Sequence, residues 1–169
     1  MLAAGFALAA ATLASAEAPI RAWGEKPTPP LARADLQGHR VDLAALRGRV
    51  VLVNFWATWC EPCRAEMPSI ERLRSKLEGK PFNVLTVNYG ESGAKIAAFL
   101  SREKLALPVL LDPDNEASEA WGAKGLPMTF LVDAQGRIRY YAFGERDWSA
   151  GESLAMVERL LSEAPGARR

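Results

Sequence analysis

A run of apolar residues that does not alternate ends four positions before a pair of cysteines, and this limits the folds open to the chain more than any other feature. The run is Val50-Val51-Leu52-Val53-Asn54-Phe55-Trp56, with Asn54 its one polar member. Continuous hydrophobicity over so short a stretch predicts a strand covered on both faces, as in a parallel or mixed sheet between helices. The cysteines stand in Trp59-Cys60-Glu61-Pro62-Cys63 and are the only two in 169 residues. Behind them Met67, Ile70, Leu73 and Leu77 recur at helical spacing, predicting a helix over 64–78. Pro68 lies inside that pattern and cannot donate to the carbonyl of Arg64, which predicts a kink. Two thiols in this spacing at a strand-to-helix turn are the signature of a dithiol/disulfide redox site.

Upstream, residues 1–16 are apolar and Ala-rich and end Ala14-Ser15-Ala16 before the first charge, Glu17. They read as the hydrophobic part of a secretory signal. No Lys or Arg precedes the run, so an anchor continued upstream is the second reading, although the run falls short of the roughly 20 residues of a spanning helix. Residues 17–30 carry Pro19, Pro27, Pro29 and Pro30 and read as an extended linker, with folded structure expected from Leu31. The turn signal Asp35-Leu36-Gln37-Gly38 joins 31–34 to 39–41 in a small hairpin, where His39 reads as solvated.

Downstream, strands are expected over 82–87 and 107–111 and helices over 92–103 and 115–121, the first helix with Ile96, Phe99 and Leu100 inward. Strands over 128–132 and 137–141 are joined by the hairpin signal Asp133-Ala134-Gln135-Gly136. Ser149-Ala150-Gly151-Glu152 matches a capping box, opening a helix with Leu154, Val157, Leu160 and Leu161 on one side. Residues 165–169 read as a frayed tail. The pattern predicts one α/β domain over 31–164: three layers, a central mixed sheet with helices on both faces and an N-terminal hairpin extension.

With 49% hydrophobic and 24% charged residues, the chain has the composition of a globular domain with a core. The 21 basic against 20 acidic residues, net +1, give no reason to expect nucleic acid or an acidic membrane surface as a partner. A single histidine argues against His-based triads, and two cysteines fall short of the four ligands of a structural zinc site. A purely structural disulfide over so short a loop would stabilise little.

A thiolate is the attacking species in disulfide exchange. Cys60 is placed where unpaired N–H groups and the helix dipole favour an anion, so it is the expected nucleophile and Cys63, one turn on, the resolving thiol. Such exchange needs no cofactor and no metal. Glu61 sets a like charge beside Cys60 and disfavours its thiolate, which makes the pair a better reductant; a solvated glutamate at a helix start is the other reading. Glu66 shares a helical face with Ile70, Leu73 and Leu77 and lies three residues from Cys63. There it is a candidate proton donor and acceptor with a raised pKa, unless the Pro68 kink turns it to solvent.

Two stretches carry a resemblance: Val53-Asn54-Phe55-Trp56-Ala57-Thr58-Trp59-Cys60-Glu61-Pro62-Cys63-Arg64-Ala65-Glu66-Met67-Pro68, and Gly125-Leu126-Pro127-Met128-Thr129-Phe130-Leu131-Val132-Asp133. They resemble the thioredoxin-like fold and, within it, the TlpA/ResA/CcmG group of extracytoplasmic thiol–disulfide oxidoreductases, over about residues 31–161. The TlpA-like branch is the closer, because Met128 stands where the CcmG branch carries Glu. The resemblance implies a cis Pro127 against the active-site disulfide and a groove along 122–126 that pairs with substrate backbone, with Trp59 on its rim or in the core. Substrate binding then falls to Trp59, Glu61, Pro62, Leu126 and Pro127. Glu66 matches the family's glutamate, while Asn54 stands where thioredoxin has a titratable aspartate.

The implied protein is a periplasmic monomer acting as a reductant on a cysteine-containing substrate protein, in cytochrome c maturation or copper-site assembly, and re-reduced by a membrane thiol electron donor. Two alternatives stand beside it: the same exchange run as an oxidant, and a Cu(I)-binding chaperone using both thiolates. A chaperone of the Sco type would show three residues between its cysteines and a distant histidine, and this sequence shows neither.

Overall fold

Every residue of strand β4, Val50–Trp56, is buried, as a run without alternation requires. The structure, a computed structural model, describes residues 17–165. Around β4 the chain sets β1 (Ile20–Ala22), β2 (Ala32–Ala34), β3 (Arg40–Asp42) and a 3₁₀ turn (Leu43–Leu46) before it. After it come α1 (Glu61–Lys76), β5 (Phe82–Tyr89), α2 (Gly93–Glu103), β6 (Val109–Asp112), α3 (Glu116–Ala120), β7 (Met128–Val132), β8 (Ile138–Phe143) and α4 (Gly151–Glu163). One mixed sheet has the order β1-β8-β7-β4-β5-β6, and β2 and β3 form a separate hairpin. β4 runs parallel to β5 and antiparallel to β7, so the central strand carries both kinds of ladder.

Successive strand side chains point to opposite faces, and β4 splits its residues accordingly. Val50, Leu52 and Trp56 join the cluster formed with Met67, Ile70 and Leu73 of α1, Ile96 and Phe99 of α2, and Val157 and Leu160 of α4. Val51, Val53 and Phe55 join Leu31, Leu43, Ala117, Trp121 and Phe130 on the other face. The helices on both faces, the mixed sheet and the N-terminal hairpin expected from the sequence are all present. Trp56 meets Phe99 at 5.3 Å on the first face, and Phe55 meets Trp121 at 5.7 Å on the second. Each fully buried side chain of this kind contributes about 1.5–3 kcal/mol, so these two layers hold β4, and the cysteines after it, in place.

Helix α1 begins three residues before the expected start at 64: Cys60 is its N-cap and Pro62 lies in its first turn, where a missing N–H costs nothing. The helix runs through Pro68. That residue is exposed, as is Arg64, so the carbonyl it leaves unpaired lies on the solvent side.

Two expectations are corrected. Residues 17–30 are not a free linker: Ile20–Ala22 pairs antiparallel with β8, and Trp23 meets Phe130 at 5.5 Å and Tyr141 at 5.7 Å. Without this strand β8 would be an open edge with unpaired backbone groups. The prolines flank the strand, where no ladder N–H is needed, and the Thr28 hydroxyl accepts from the Ile138 N–H at 2.8 Å. Nor is there a capping box at 149–152. The N-cap of α4 is Ala150, with no side-chain cap. The Ser149 hydroxyl donates to Asp147 Oδ1 at 2.6 Å, and the Glu152 carboxylate pairs with Arg146 at 3.0 Å. The proposed signal segment 1–16 lies outside the described residues, as does the tail beyond Pro165. Among the described residues no helix is long and apolar enough to cross a membrane.

Candidate active site

β4 delivers the chain through a buried Ala57 to Cys60, whose extended backbone (φ −86°, ψ 105°) makes it the helix cap. Cys60 and Cys63 form a disulfide, their Cα atoms 5.3 Å apart. Cys60 Sγ accepts from the Cys63 backbone N–H at 3.3 Å. That contact and the N-terminal end of a 16-residue helix both favour a thiolate on Cys60 once the disulfide is reduced. Cys60 is 5% exposed and Cys63 is 0%, so a partner molecule reaches Cys60 first.

The Leu126–Pro127 peptide is cis. β7 pairs Met128 with Phe55 of β4, which puts this bond at the same end of the sheet as Cys60. The Pro127 carbonyl accepts from the Gly144 N–H at 2.9 Å. Pro127 is itself buried, Leu126 half-buried and Lys124 exposed, so the loop offers its backbone and the Leu126 side chain. Phe143 lies over Gly125 so closely that a Cβ there would sit 2.5 Å from the ring. Trp59 (63% exposed) and Phe143 (59%) are the exposed large hydrophobics among the described residues. The core reading of Trp59 is therefore excluded. Glu61 and Pro62 are exposed beside it.

Glu66 is 1% exposed, so Pro68 does not turn it to solvent. Its Oε1 accepts from Asn54 Nδ2 at 2.7 Å, and its Oε2 from the Trp148 indole N–H at 3.2 Å and the Arg146 backbone N–H at 3.3 Å. Burial pushes its pKa up to about 8 against these three donors, with the charge of Glu145 acting in the same upward direction. Asn54 Nδ2 also donates to Thr129 Oγ1 at 2.8 Å. This carboxyl one turn from Cys63 holds a proton at neutral pH and can release it slightly above.

Sequence reasoning missed three contributors. Arg146 and Trp148 come from the segment between β8 and α4, whose polar run around one tryptophan is the only local hint. The Arg146 guanidinium is buried among Glu17 (3.2 Å), Glu152 (3.0 Å), Ser153 Oγ (3.0 Å) and the Ala18 carbonyl, and so ties the start of the described chain beneath the site. Glu91, between β5 and α2, is 8% exposed and grips Thr58, two residues before Cys60. It accepts from the Thr58 N–H at 2.7 Å, the Thr58 hydroxyl at 2.6 Å and Asn88 Nδ2 at 2.9 Å, and pairs with Lys95 at 2.7 Å. Burial raises its pKa, but the Lys95, Thr58 and Asn88 donors outweigh this and leave it below the ordinary glutamate value.

Comparison with known proteins adds an independent line. Residues 13–159 match the family described as Redoxin. The thiol-disulfide oxidoreductase ResA of Geobacillus thermodenitrificans is 35% identical over 111 residues, 66% of this chain and 64% of that protein. ResA of Bacillus subtilis is 35% identical over 104 residues, 62% of this chain and 58% of the relative. The matched region thus spans about three fifths of these relatives' length (64% and 58%). A Chlorobium tepidum structure provisionally assigned as the thiol:disulfide interchange protein DsbE superposes with a TM-score of 0.74 at 29% identity, covering 80% of this chain and 95% of that one.

Proposed function

This chain belongs to the redoxin family and has the thioredoxin-like fold, and from that premise we propose that it is a thiol–disulfide oxidoreductase working as a reductant. The observation that carries the reading is the Cys60–Cys63 disulfide at the start of α1, one turn from a buried carboxyl whose pKa is raised to about 8. In the reduced protein the Cys60 thiolate attacks a disulfide of a substrate protein. An S–S bond forms between Cys60 and one substrate sulfur, and the other leaves as a thiolate. Glu66 in its ionised form, populated as the pH approaches about 8, takes the proton of the Cys63 thiol, and the Cys63 thiolate attacks Cys60 Sγ. That closes the Cys60–Cys63 disulfide and releases the second substrate sulfur. Two electrons pass to the substrate, and its thiolates take up protons.

Trp59, Glu61, Pro62, Leu126 and the backbone at Pro127 form the surface that receives the substrate chain. Glu61 disfavours the Cys60 thiolate, which favours the disulfide over the dithiol and makes the pair reducing. Such a reductant has work to do outside the cytoplasm, where disulfides otherwise persist. There it would keep haem-attachment or copper-ligand cysteines reduced and would itself be re-reduced by a membrane thiol donor.

The test is the equilibrium reduction potential of the Cys60/Cys63 pair, titrated against a dithiol buffer at neutral pH. A value near or below about −270 mV supports the reductant. A value near about −120 mV would make the protein an oxidant that introduces disulfides.

A further inference from the structure

A carboxylate is only an acceptor, whereas a protonated carboxyl must also donate one hydrogen bond. Around Glu66 the structure supplies donors: Asn54 Nδ2, the Trp148 indole N–H and the Arg146 backbone N–H. The indole and the backbone N–H have no acceptor to offer. The remaining neighbour has one: Asn54 Oδ1 is buried and without a partner. We propose that the Asn54 side-chain amide is a two-position proton adaptor for Glu66, presenting Nδ2 to the ionised carboxylate and, after a half-turn about χ2, Oδ1 to the protonated one.

The terminal amide torsion is soft and the two orientations fill the same volume. Thr129 Oγ1, now accepting from Nδ2 at 2.8 Å, is a hydroxyl that can rotate and donate to Oδ1 instead. One half of the amide lacks a partner in the observed orientation, and the other half lacks one after the turn. Neither orientation has the better hydrogen-bond count, so the proton on Glu66 decides between them. On the proton-carrier reading, the proton leaves Cys63 Sγ as the thiolate forms and arrives on the Glu66 carboxylate; the amide is never protonated and no electron moves in the turn. With Asn54 held in the observed orientation, a protonated Glu66 would have no acceptor for its O–H among these three neighbours, and a buried unsatisfied donor is destabilising.

Among the described residues, few charged or titratable groups face Glu66 from the elements packed on it. The segment after β8 contributes Glu145 and Arg146, whose guanidinium is engaged by Glu17 and Glu152. α1 contributes Cys63, which does not titrate while it is in the disulfide. The proposal rests on the reading of Glu66 as the proton carrier, and the experiment separates the two.

In the oxidised full chain the Glu66 carboxyl carbon and the Asn54 side-chain NH₂ group are followed by NMR from about pH 6 to about pH 10. Both signals are expected to move with one midpoint near 8, and the contact of the Asn54 NH₂ protons with Glu66 is expected above it and lost below it. If Glu66 titrates while that contact persists throughout, Asn54 is a fixed donor and the adaptor is overturned, with the role of Glu66 intact. If Glu66 does not titrate in this range, the proton-carrier reading fails and the adaptor with it. In Glu66→Gln the Asn54 signals are expected to stay constant with pH; a pH-driven turn there would assign it to another group and overturn the proposal.

Discussion

Thr58 donates twice to one carboxylate: its backbone N–H reaches Glu91 Oε2 at 2.7 Å and its hydroxyl reaches Oε1 at 2.6 Å, across 33 positions of sequence. The link joins the loop before Cys60 to the loop before α2, so the approach to the nucleophile is braced by a neighbouring strand's connection as well as by β4.

Glu91→Ala removes both bonds and strands the donors of Asn88 and Lys95. Hydrogen bonds to a charged group contribute about 1.5–3 kcal/mol, and we expect a loss of about that size in urea denaturation of the oxidised protein. Because the folded pKa of Glu91 is lowered, this contribution is present above its ordinary value of 4.5 and is lost as pH falls through the folded value. The wild-type advantage over Glu91→Ala should therefore shrink in acid.

Glu66 has the opposite sign. Its folded pKa of about 8 lies above the ordinary 4.5, so between those values the folded protein holds a proton that the unfolded chain has released. Stability is fully present below the lower value and declines as pH rises to the upper one, by up to about 5 kcal/mol on the linkage relation. Glu66→Gln should abolish that decline. Denaturation midpoints of the two oxidised proteins at the ends of the window check it: parallel pH profiles would mean that Glu66 is not protonated in the folded state.

The exposure difference between the cysteines, 5% against 0%, predicts unequal reactivity. In Cys63→Ser, Cys60 should form stable mixed disulfides with a protein substrate and alkylate readily near neutral pH. In Cys60→Ser, the buried Cys63 should alkylate roughly tenfold more slowly or worse, since a fully buried thiol is screened from the reagent. Equal alkylation rates would contradict the assignment of nucleophile and resolving thiol.

Trp59, at 63% exposure, contributes little to the fold, and on the proposed reading it supplies contact area to a partner. Trp59→Ala should change stability by no more than about 0.5 kcal/mol. It should lower kcat/KM for reduction of a polypeptide disulfide such as insulin by about tenfold or more, the scale expected when a buried aromatic contact is truncated. The rate with a small aromatic disulfide should be unchanged. A proportional loss with both substrates would place Trp59 in the chemistry and remove it from docking.

Much of this architecture is legible in residue order because its causes are local. Cys60 at the strand-to-helix turn, the inward set Ile96, Phe99 and Leu100, and the β7–β8 hairpin at Asp133–Gly136 all follow from spacing and turn chemistry acting over a few residues. The misreadings are of another kind. The proline-flanked stretch 17–30 looked like a linker because nothing within it reveals that β8 needs a partner strand or that Trp23 has an aromatic pocket to fill. Ser149 and Glu152 have the spacing of a capping box, but Asp147 and Arg146 compete for them, and a charged partner wins over a backbone N–H.

That a buried strand delivers two cysteines to the start of a helix is written in residue order, because hydrophobic period and turn chemistry are properties of neighbouring residues. The electrostatic state of the site depends on how the chain packs. The donors to Glu66 come from 12, 80 and 82 positions away, whereas Glu91 keeps the local donors Asn88 and Lys95 and gains Thr58 from 33 positions away. Two glutamates of the same intrinsic acidity are thereby driven in opposite directions, since a pKa follows from the balance of desolvation against hydrogen bonds, and the desolvation arises only when distant segments of the chain pack around the group.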